Sequence, residues 1–489
     1  MSKHHHDPEG TRLPIKLDST SNGEFAPIPL APIHHHAKRL ALETADHNAR
    51  RSGLGRRDFL VSACGAASTL LAFNQAYASQ GQRGGFFELD AEAGLDTQLA
   101  SASLEGKEFI FDVQGHFVNP TGAWTKKLPD DARPLSSFPQ SECPAGEGPG
   151  RAYLDCFNSK QFIQDVFMDS DTDLMVLSFV PSRSDAEPLT IEEAAATAEL
   201  VEEMAGTHRL LLHGRVNPNQ PGDLETMDAL AEHWKVSAWK TYTQWGPDGQ
   251  GFWLDDEDTG IPFLEKARAL GVKIVAVHKG LPFGDESYQH STCADIGRVA
   301  RRYPDISFLV YHSGYVAGSS EGPYDPNRFD GVDSLVKSLL ENEIAPNSNV
   351  YAELGSTWRY LMRDPDSAAH TLGKLLEYVG EDNVLWGTDS IWYGSPQDQI
   401  QAFRSFQIAE PLREMYGYPK MTPELRAKVF GLNALKPYGE RVADLLPKLG
   451  VDRVAANRLA YRERPDPHFR TYGPKTRREF VNLLRWQGG

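Results

Sequence analysis

Short runs of β-branched and aromatic residues recur along the chain and alternate with stretches of helical period. Eight such runs, each ended by Gly, Pro or polar residues, occupy positions 109–113, 174–179, 210–216, 236–243, 272–278, 306–312, 349–355 and 383–389. After the first gap, successive strand ends lie about 27 to 43 residues apart, close to what a strand and its crossover helix need. The pattern predicts an α/β fold, a (β/α)8 TIM barrel, rather than an open doubly wound sheet.

The first interval between predicted strands is much longer than the others. It contains residues 114–159, about 45 positions rich in Pro, Gly and Asp, which leave the C-terminal end of the first strand. Long loops inside a compact domain are usually functional, and TIM barrels carry their active sites at this end. We therefore expect a substrate lid, with a surface insertion or a subunit contact as the alternative.

The regions outside the predicted barrel, 106–440, differ from it in composition. Residues 1–78 contain two His triplets, scattered Pro and no sustained hydrophobic period, which predicts a disordered leader, and residues 79–105 form a lead-in to the barrel. Residues 441–489 form a C-terminal extension rich in basic residues. Because the whole chain has a formal charge of −17, we expect this extension to pack on its own acidic barrel or on a neighbouring subunit.

A pair of arginines precedes an apolar stretch within the leader. The run RRDFL at 56–60 opens this stretch, and AYA at 76–78 closes it with the small residues of a cleavage site. The arrangement resembles a twin-arginine export signal, and the resemblance implies a periplasmic or secreted bacterial protein that begins at Ser79. The alternative is an amphipathic helix that happens to start with two arginines.

Composition argues against two classes of protein. The 67 Asp and Glu outnumber the 50 Lys and Arg, and no long basic stripe offers a nucleic-acid-binding surface. A permanent transmembrane helix has no support, since no apolar run reaches about 18 residues. In an oxidising compartment Cys143 and Cys156 could pair, with buried free thiols as the alternative.

Polar residues stand at the C-terminal ends of the predicted strands, where a TIM barrel has its active site. The first, fifth, sixth and eighth strands supply His116, His278, His312 and Asp389. A single strand-end histidine is commonly structural, but four such residues at matching depth indicate a functional site. The fourth and seventh strands add Lys240 and Glu353.

This ordered set resembles the amidohydrolase superfamily, in particular its amidohydrolase-related branch of mononuclear hydrolases and non-oxidative decarboxylases. The resemblance rests on FLVYHSG at 308–314, LWGTD at 385–389 and VFGLNA at 429–434. It implies that His116, His278 and Asp389 bind one divalent metal ion. It also implies that Asp389 accepts a proton and that His312 polarises the substrate oxygen. Zn²⁺ is the preferred ion, because imidazoles and a carboxylate leave an open position on it for water.

One position departs from the family pattern. The family's first strand carries His-x-His, but the first member here is Gln114. As a metal ligand, Gln114 offers only a neutral amide oxygen, which suits Zn²⁺ less well than imidazole does. We therefore expect weak metal binding, a shift towards Mn²⁺ or Mg²⁺, or no metal at all. Asp112, two positions earlier, is expected to orient a first-strand group or to make a structural hydrogen bond.

Further residues at the same end are candidates for substrate binding. Lys240 stands where binuclear relatives have a carboxylated lysine, and we interpret it as a cation that anchors a substrate carboxylate or as part of a buried ion pair. Glu353 is a candidate acid, base or partner of Lys240. Aromatic residues crowd the strand ends, and Trp124, Trp358 and Trp392 are predicted to contact a planar or apolar substrate.

Three functions are compatible with these residues. The first is a metal-dependent hydrolase that attacks an amide, ester or lactone bond of a small substrate with metal-activated water. The alternative is a lyase, namely a non-oxidative decarboxylase of an aromatic or unsaturated carboxylic acid, which Lys240 would suit. The third is a binding protein on a barrel that has lost its metal. The family resemblance also implies a homodimer.

Overall fold

Eight parallel strands form the main sheet of the protein. The structure is a computed structural model and describes residues 5–126 and 156–484. The strands of the main sheet are β2 (Phe111–Gly115), β3 (Leu174–Leu177), β4 (Leu210–Arg215), β5 (Ala238–Tyr242), β6 (Ile274–His278), β7 (Ser307–Tyr311), β8 (Val350–Glu353) and β9 (Val384–Leu385). Two further strands, β1 (Gly85–Phe87) and β10 (Phe406–Ile408), pair antiparallel in a separate sheet. In the main sheet β2 to β9 follow one another in chain order. Residues just after β9 return to β2, where the Asp389 backbone N–H donates to Gln114 O at 2.9 Å. The predicted (β/α)8 TIM barrel is therefore confirmed.

Helices cover the outside of the barrel. Those between its strands are Ser159–Ile163, Ile191–Ala205, Asp223–Glu232, Gly260–Ala269, Ile296–Arg302, Val332–Glu341, Thr357–Leu361 and Pro365–Lys374, and Gln397–Ser405 follows β9. The helix Ile191–Ala205 shows how the sequence sets its ends. Thr190 and Glu193 form a reciprocal capping box at its start, and Gly206 takes the left-handed conformation at its end.

The barrel has an inner and an outer apolar layer. Every residue of β5 and β6 is buried, as expected for strands of a parallel barrel that is covered on both faces. The interior contains Val176, Leu309 and Tyr351, and Tyr438 from beyond the last strand packs onto them. Helices after the barrel are Glu410–Tyr416, Pro423–Ala427, Leu435–Val442, Leu446–Leu449, Arg453–Arg462 and Arg477–Leu484.

Residues 5–78 are folded in this structure, although their composition predicts a leader that is disordered or removed. The helices Pro32–Arg51, Arg56–Val61, Ala63–Ser79 and Thr97–Leu104 precede the barrel. In the first of these helices, buried residues recur every fourth position at Ala37, Ala41, Ala45 and Ala49. Such a stripe packs closely against a neighbouring helix, but alanines contribute little hydrophobic contrast. The helical period was therefore too weak to stand out in the sequence.

The segment 13–25, which we call the N-terminal strap, is fixed to the barrel by buried polar contacts. Lys16 Nζ donates to Tyr393 O at 2.7 Å and lies 3.2 Å from Asp398 Oδ1. Arg359 Nη2 donates to Asp18 Oδ1 at 3.0 Å. The C-terminal extension covers the strap from the other side, where the Ser21 backbone N–H donates to Pro474 O at 2.9 Å. Hydrogen bonds and an ion pair therefore hold the strap to the barrel on one side and to the C-terminal extension on the other.

Two predictions concern residues that are largely not described. Most of the proposed lid, 114–159, consists of residues 127–155, which lie outside the described residues. Cys143 lies among them, so the predicted pairing of Cys143 with Cys156 also falls outside the described residues. Among the residues that are described, no helix is both long and apolar enough to cross a membrane.

Candidate active site

The predicted strand-end residues meet at the C-terminal end of the barrel. His116 Nε2 lies 3.2 Å from Asp389 Oδ1, and the rings of His278 and His312 are 4.6 Å apart between centroids. All four side chains are buried. The structure therefore brings together residues from the first, fifth, sixth and eighth barrel strands, as the rule for TIM barrels requires.

The ring nitrogens of two histidines have defined roles. His116 Nδ1 lies 3.1 Å from Ser178 O, and His312 Nδ1 lies 2.7 Å from Gly355 O. A carbonyl oxygen only accepts, so each Nδ1 carries the proton and donates it to the hydrogen bond. In a neutral His312 ring the Nε2 lone pair then faces the site, which is the arrangement that metal-binding histidines use. His116 Nε2 instead hydrogen-bonds to Asp389 Oδ1 at 3.2 Å.

Gln114 lies at the centre of this group with its amide NH₂ directed inwards. Its Nε2 is 3.3 Å from Asp389 Oδ1, 3.4 Å from His116 Nε2 and 3.5 Å from His312 Nε2. Its Oε1 packs against Gly355 so closely that any Cβ at that position would clash. In this structure Gln114 therefore directs its amide nitrogen at the other site residues, and its role as an oxygen ligand stays a prediction.

Two buried carboxylates hold the strand ends in place. Glu353 accepts from the His312 backbone N–H at 3.0 Å and from the Gly355 backbone N–H at 2.6 Å. Asp112 accepts from the backbone N–H groups of Gln114 and Thr388, both at 3.1 Å. Burial raises the pKa of Glu353 to about 8 and that of Asp112 to about 7. Both residues position the site residues beside them.

The backbone of the site is strained. His312, Ser313, Ser356 and Asp389 all have positive φ values, between 52° and 66°. Non-glycine residues rarely occupy this region, and such conformations cluster at functional sites because surrounding contacts must hold them.

Asp389 is held as a carboxylate by several donors. Asn22 Nδ2 donates to its Oδ2 at 2.8 Å, and the Ser356 hydroxyl donates to the same oxygen. Burial would raise the pKa of Asp389, but the hydrogen bond and charge of His116, the charge of His312 and the Ser356 hydroxyl hold it below its ordinary value. Burial lowers the pKa of His312 to about 4 and that of His278 well below its usual value.

Lys240 is a buried cation below this group. Its Nζ lies 3.9 Å from the Tyr311 ring centroid and 4.5 Å from that of Tyr242, and within the described residues it has no hydrogen-bond partner. Burial lowers the pKa of Lys240 to about 7, although the nearby Glu24 and Glu353 charges oppose this shift. An ammonium without an acceptor is available to an anionic ligand.

The three predicted tryptophans have different places. The Trp392 ring centroid lies 6.4 Å from that of His116 and 4.9 Å from that of Phe157, so Trp392 forms a wall of the site. Trp358 packs against Phe403 behind the strand ends and donates to Gln399 O at 2.9 Å, and its role in substrate binding stays a prediction. Trp124 donates to Asn119 O within its own loop, at 2.7 Å.

Sequence reasoning missed two site residues, Asn22 and Glu24 of the N-terminal strap. Glu24 Oε1 lies 3.6 Å from His278 Nδ1, and Glu24 Oε2 lies 4.0 Å from His312 Nε2. Asn22 Nδ2 donates to Glu24 as well as to Asp389. No signal at these positions could have identified them, because they lie far from any strand end in a stretch without hydrophobic period.

The donor atoms at this end of the barrel fit a divalent metal ion. Glu24, His278 and His312 each offer a ligand atom, and these atoms lie within 4.8 Å of one another. Both ring nitrogens of His278 are buried and lack a hydrogen-bond partner among the described residues. Buried polar atoms without partners are costly, and a bound cation would satisfy one of the two ring nitrogens.

Comparison with known proteins identifies the family. Residues 112–439, more than half of the chain, match the model of the Amidohydrolase family, so this chain belongs to that family. No curated protein matches it.

Solved structures resemble the chain at low identity. One is 5-carboxyvanillate decarboxylase from Novosphingobium aromaticivorans, complexed with manganese and 4-hydroxy-3-methoxy-5-nitrobenzoic acid, at 14% identity and a TM-score of 0.45, covering 68% of this chain and 97% of the other. Others are 2,6-dihydroxybenzoate decarboxylase from Rhizobium (14%, 0.40, 68% and 100%) and 4-oxalomesaconate hydratase from Rhodopseudomonas palustris (14%, 0.38, 70% and 98%).

Proposed function

We propose that this protein is a metal-dependent hydrolase that acts on an amide, ester or lactone bond of a small substrate. The observation that carries the proposal is the buried Asp389 carboxylate, which is held at low pKa beside His116, His278 and His312. A buried carboxylate next to buried imidazoles combines a proton acceptor with metal ligands in one site.

Each site residue has a separate role in the proposed reaction. His278 would hold the ion, which when bound would lower the pKa of water and polarise a carbonyl. Asp389 accepts the proton of the attacking water and returns it to the leaving group. Asn22 and Ser356 fix the Asp389 carboxylate in the orientation that this transfer needs. We propose Zn²⁺ as the ion, since imidazole ligands suit it, with Mn²⁺ as the alternative.

Isotope labelling distinguishes hydrolysis from the other reactions. The zinc-loaded protein is screened against amides, esters, lactones and aromatic carboxylic acids in H₂¹⁸O and, separately, in D₂O. We expect one ¹⁸O atom in the acid product of an amide, ester or lactone. Release of CO₂ with a solvent deuteron on carbon would instead identify a lyase. If no compound turns over while metal binds, the hydrolase proposal fails and a binding role is favoured.

One observation favours the decarboxylase as a second candidate. The Lys240 ammonium has no hydrogen-bond partner among the described residues, and it could anchor the carboxylate of an acid substrate. Under this candidate, Lys240→Met raises the KM for the acid by about 10- to 100-fold, because a charged hydrogen bond contributes about 1.5–3 kcal/mol. The methyl ester of the same acid serves as the control and should bind both proteins equally. An unchanged KM for the acid would exclude Lys240 as the anchor.

The predicted homodimer and the predicted export signal stay predictions. The homodimer does not enter the proposed chemistry, because every group named above belongs to one chain, but cleavage after Ala78 would remove Asn22.

A further inference from the structure

The Gln114 amide fills the space where the family pattern predicts the metal. Its Nε2 lies within 3.5 Å of His116 Nε2, His312 Nε2 and Asp389 Oδ1. An amide NH₂ group cannot bind a cation, and here it points towards atoms that would otherwise be ligands of the metal. His116 Nε2, Asp389 Oδ1 and Gln114 Nε2 therefore contact one another within hydrogen-bond distance, whereas Gln114 Oε1 has no partner among the described residues.

A second set of donors lies beside it, and one of its members comes from the N-terminal strap. His278 Nδ1 and His312 Nε2 both face the Glu24 carboxylate, at 3.6 Å from Oε1 and 4.0 Å from Oε2. The Glu24 side chain is only 12% exposed, and His278 and His312 are fully buried. Within the described residues, Glu24 Oε2 accepts from the Asn22 amide and His312 Nε2 lies 3.5 Å from Gln114 Nε2, whereas His278 Nδ1 has no hydrogen-bond partner.

We infer that Glu24 is the carboxylate ligand of the metal ion, together with His278 and His312. Two imidazoles and one carboxylate are a ligand set of catalytic Zn²⁺ sites, which keep one further position open. Asn22 would act as a positioning residue, since its amide donates to both Glu24 and Asp389 and so sets the two carboxylates side by side. The inference rests on the proposed metal-dependent function and assigns its ion to a ligand set that includes no residue of the first barrel strand.

The strap must then be present in the active protein. It is anchored by the buried Lys16 to Asp398 ion pair and by Arg359, which donates to the Lys16 carbonyl and to Asp18. Cleavage after Ala78, which the arginine pair predicts, would remove Glu24 and with it one of the three ligands. The metal-bound protein should therefore give an intact mass that includes residues 13–25.

Metal binding to the full chain tests the assignment directly. Titration calorimetry with Zn²⁺ and, separately, Mn²⁺ compares the wild type with Glu24→Gln, His278→Ala and Glu9→Gln. Glu9 is an exposed residue of the same N-terminal region and provides the same chemical change away from the site. We expect Glu24→Gln and His278→Ala each to weaken binding by at least about 10- to 100-fold, and Glu9→Gln to bind like the wild type.

A second readout separates loss of a ligand from loss of structure. The wild type and Glu9→Gln should gain thermal stability on addition of Zn²⁺, whereas Glu24→Gln should gain little while its midpoint without metal stays near that of the wild type. If Glu24→Gln does not fold, the same measurements are made on Glu24→Asp. This variant keeps the charge but moves the carboxylate oxygens away from both imidazole rings, so it should also bind Zn²⁺ more weakly than the wild type.

The outcomes distinguish the two levels of the proposal. Wild-type affinity in Glu24→Gln together with loss of binding in His278→Ala would overturn the role of Glu24 and leave the metal-dependent function standing. Unchanged affinity in His278→Ala, or no binding to the wild type, would overturn the metal centre itself and the inference with it.

Discussion

Replacing Asp389 with Asn is expected to lower kcat/KM by about 10²- to 10⁴-fold, the usual contribution of a positioned general base. Asparagine keeps the shape of the side chain and can still accept from Asn22 and Ser356, so the fold should be retained. It cannot take up a proton, however, so the attacking water is no longer activated. The measurement is kcat/KM on the substrate found by isotope labelling, with zinc content determined on the same preparation.

Zinc content makes this experiment specific. If Glu24, His278 and His312 hold the ion, Asp389→Asn should lose activity but keep its zinc. Loss of both would make Asp389 a ligand, as the family pattern implies. The matched control is Asp333→Asn, which removes another buried carboxylate, one that lies 2.6 Å from Lys374 Nζ in the outer layer of helices. This variant should lose stability but not activity. Activity of Asp389→Asn within a few-fold of the wild type would contradict the proposed base.

The barrel and most of its site could be predicted because both depend on local pattern. Buried parallel strands read as short apolar runs, and crossover helices fix the interval between them. Once the strands were placed, the rule that TIM barrels act at their C-terminal ends located His116, His278, His312 and Asp389 without any knowledge of distances. The eight predicted strands accordingly overlap β2 to β9, with differences of a few residues at their ends.

The remainder of the site depends on contacts between distant parts of the chain, which carry no local signal. Asn22 and Glu24 reach the site because Lys16 and Asp18 tie the strap to residues more than 300 positions away. Trp358 packs against Phe403 behind the strand end, which its position in the sequence does not reveal. The close approach of Gln114 to Gly355, which leaves no room for a Cβ, likewise has no sequence signature.

Replacing Lys16 with Met is expected to loosen the N-terminal strap. Lys16 and Asp398 are 5% and 1% exposed and lie 3.2 Å apart, and Lys16 Nζ also donates to Tyr393 O. Removing one partner of a buried ion pair leaves the other charge uncompensated and costs about 3–5 kcal/mol. If that cost falls on the docking of the strap, its backbone amides should exchange hydrogen about 10²- to 10³-fold faster, which hydrogen exchange with mass spectrometry of residues 13–25 measures.

The control for this variant is Arg39→Met, which removes a charge from the same N-terminal region. Arg39 and Glu43 are 63% and 66% exposed and 3.9 Å apart, so their pairing contributes little and exchange in the strap should not change. Unchanged exchange in Lys16→Met as well would mean that the strap is undocked in solution. Residues 1–78 would then be better interpreted as a leader that is removed after Ala78. Glu24 could not be a ligand of the metal in that case. Faster hydrogen exchange of residues 13–25 in Lys16→Met alone would instead show that this segment is docked on the barrel, although it has the composition of a leader.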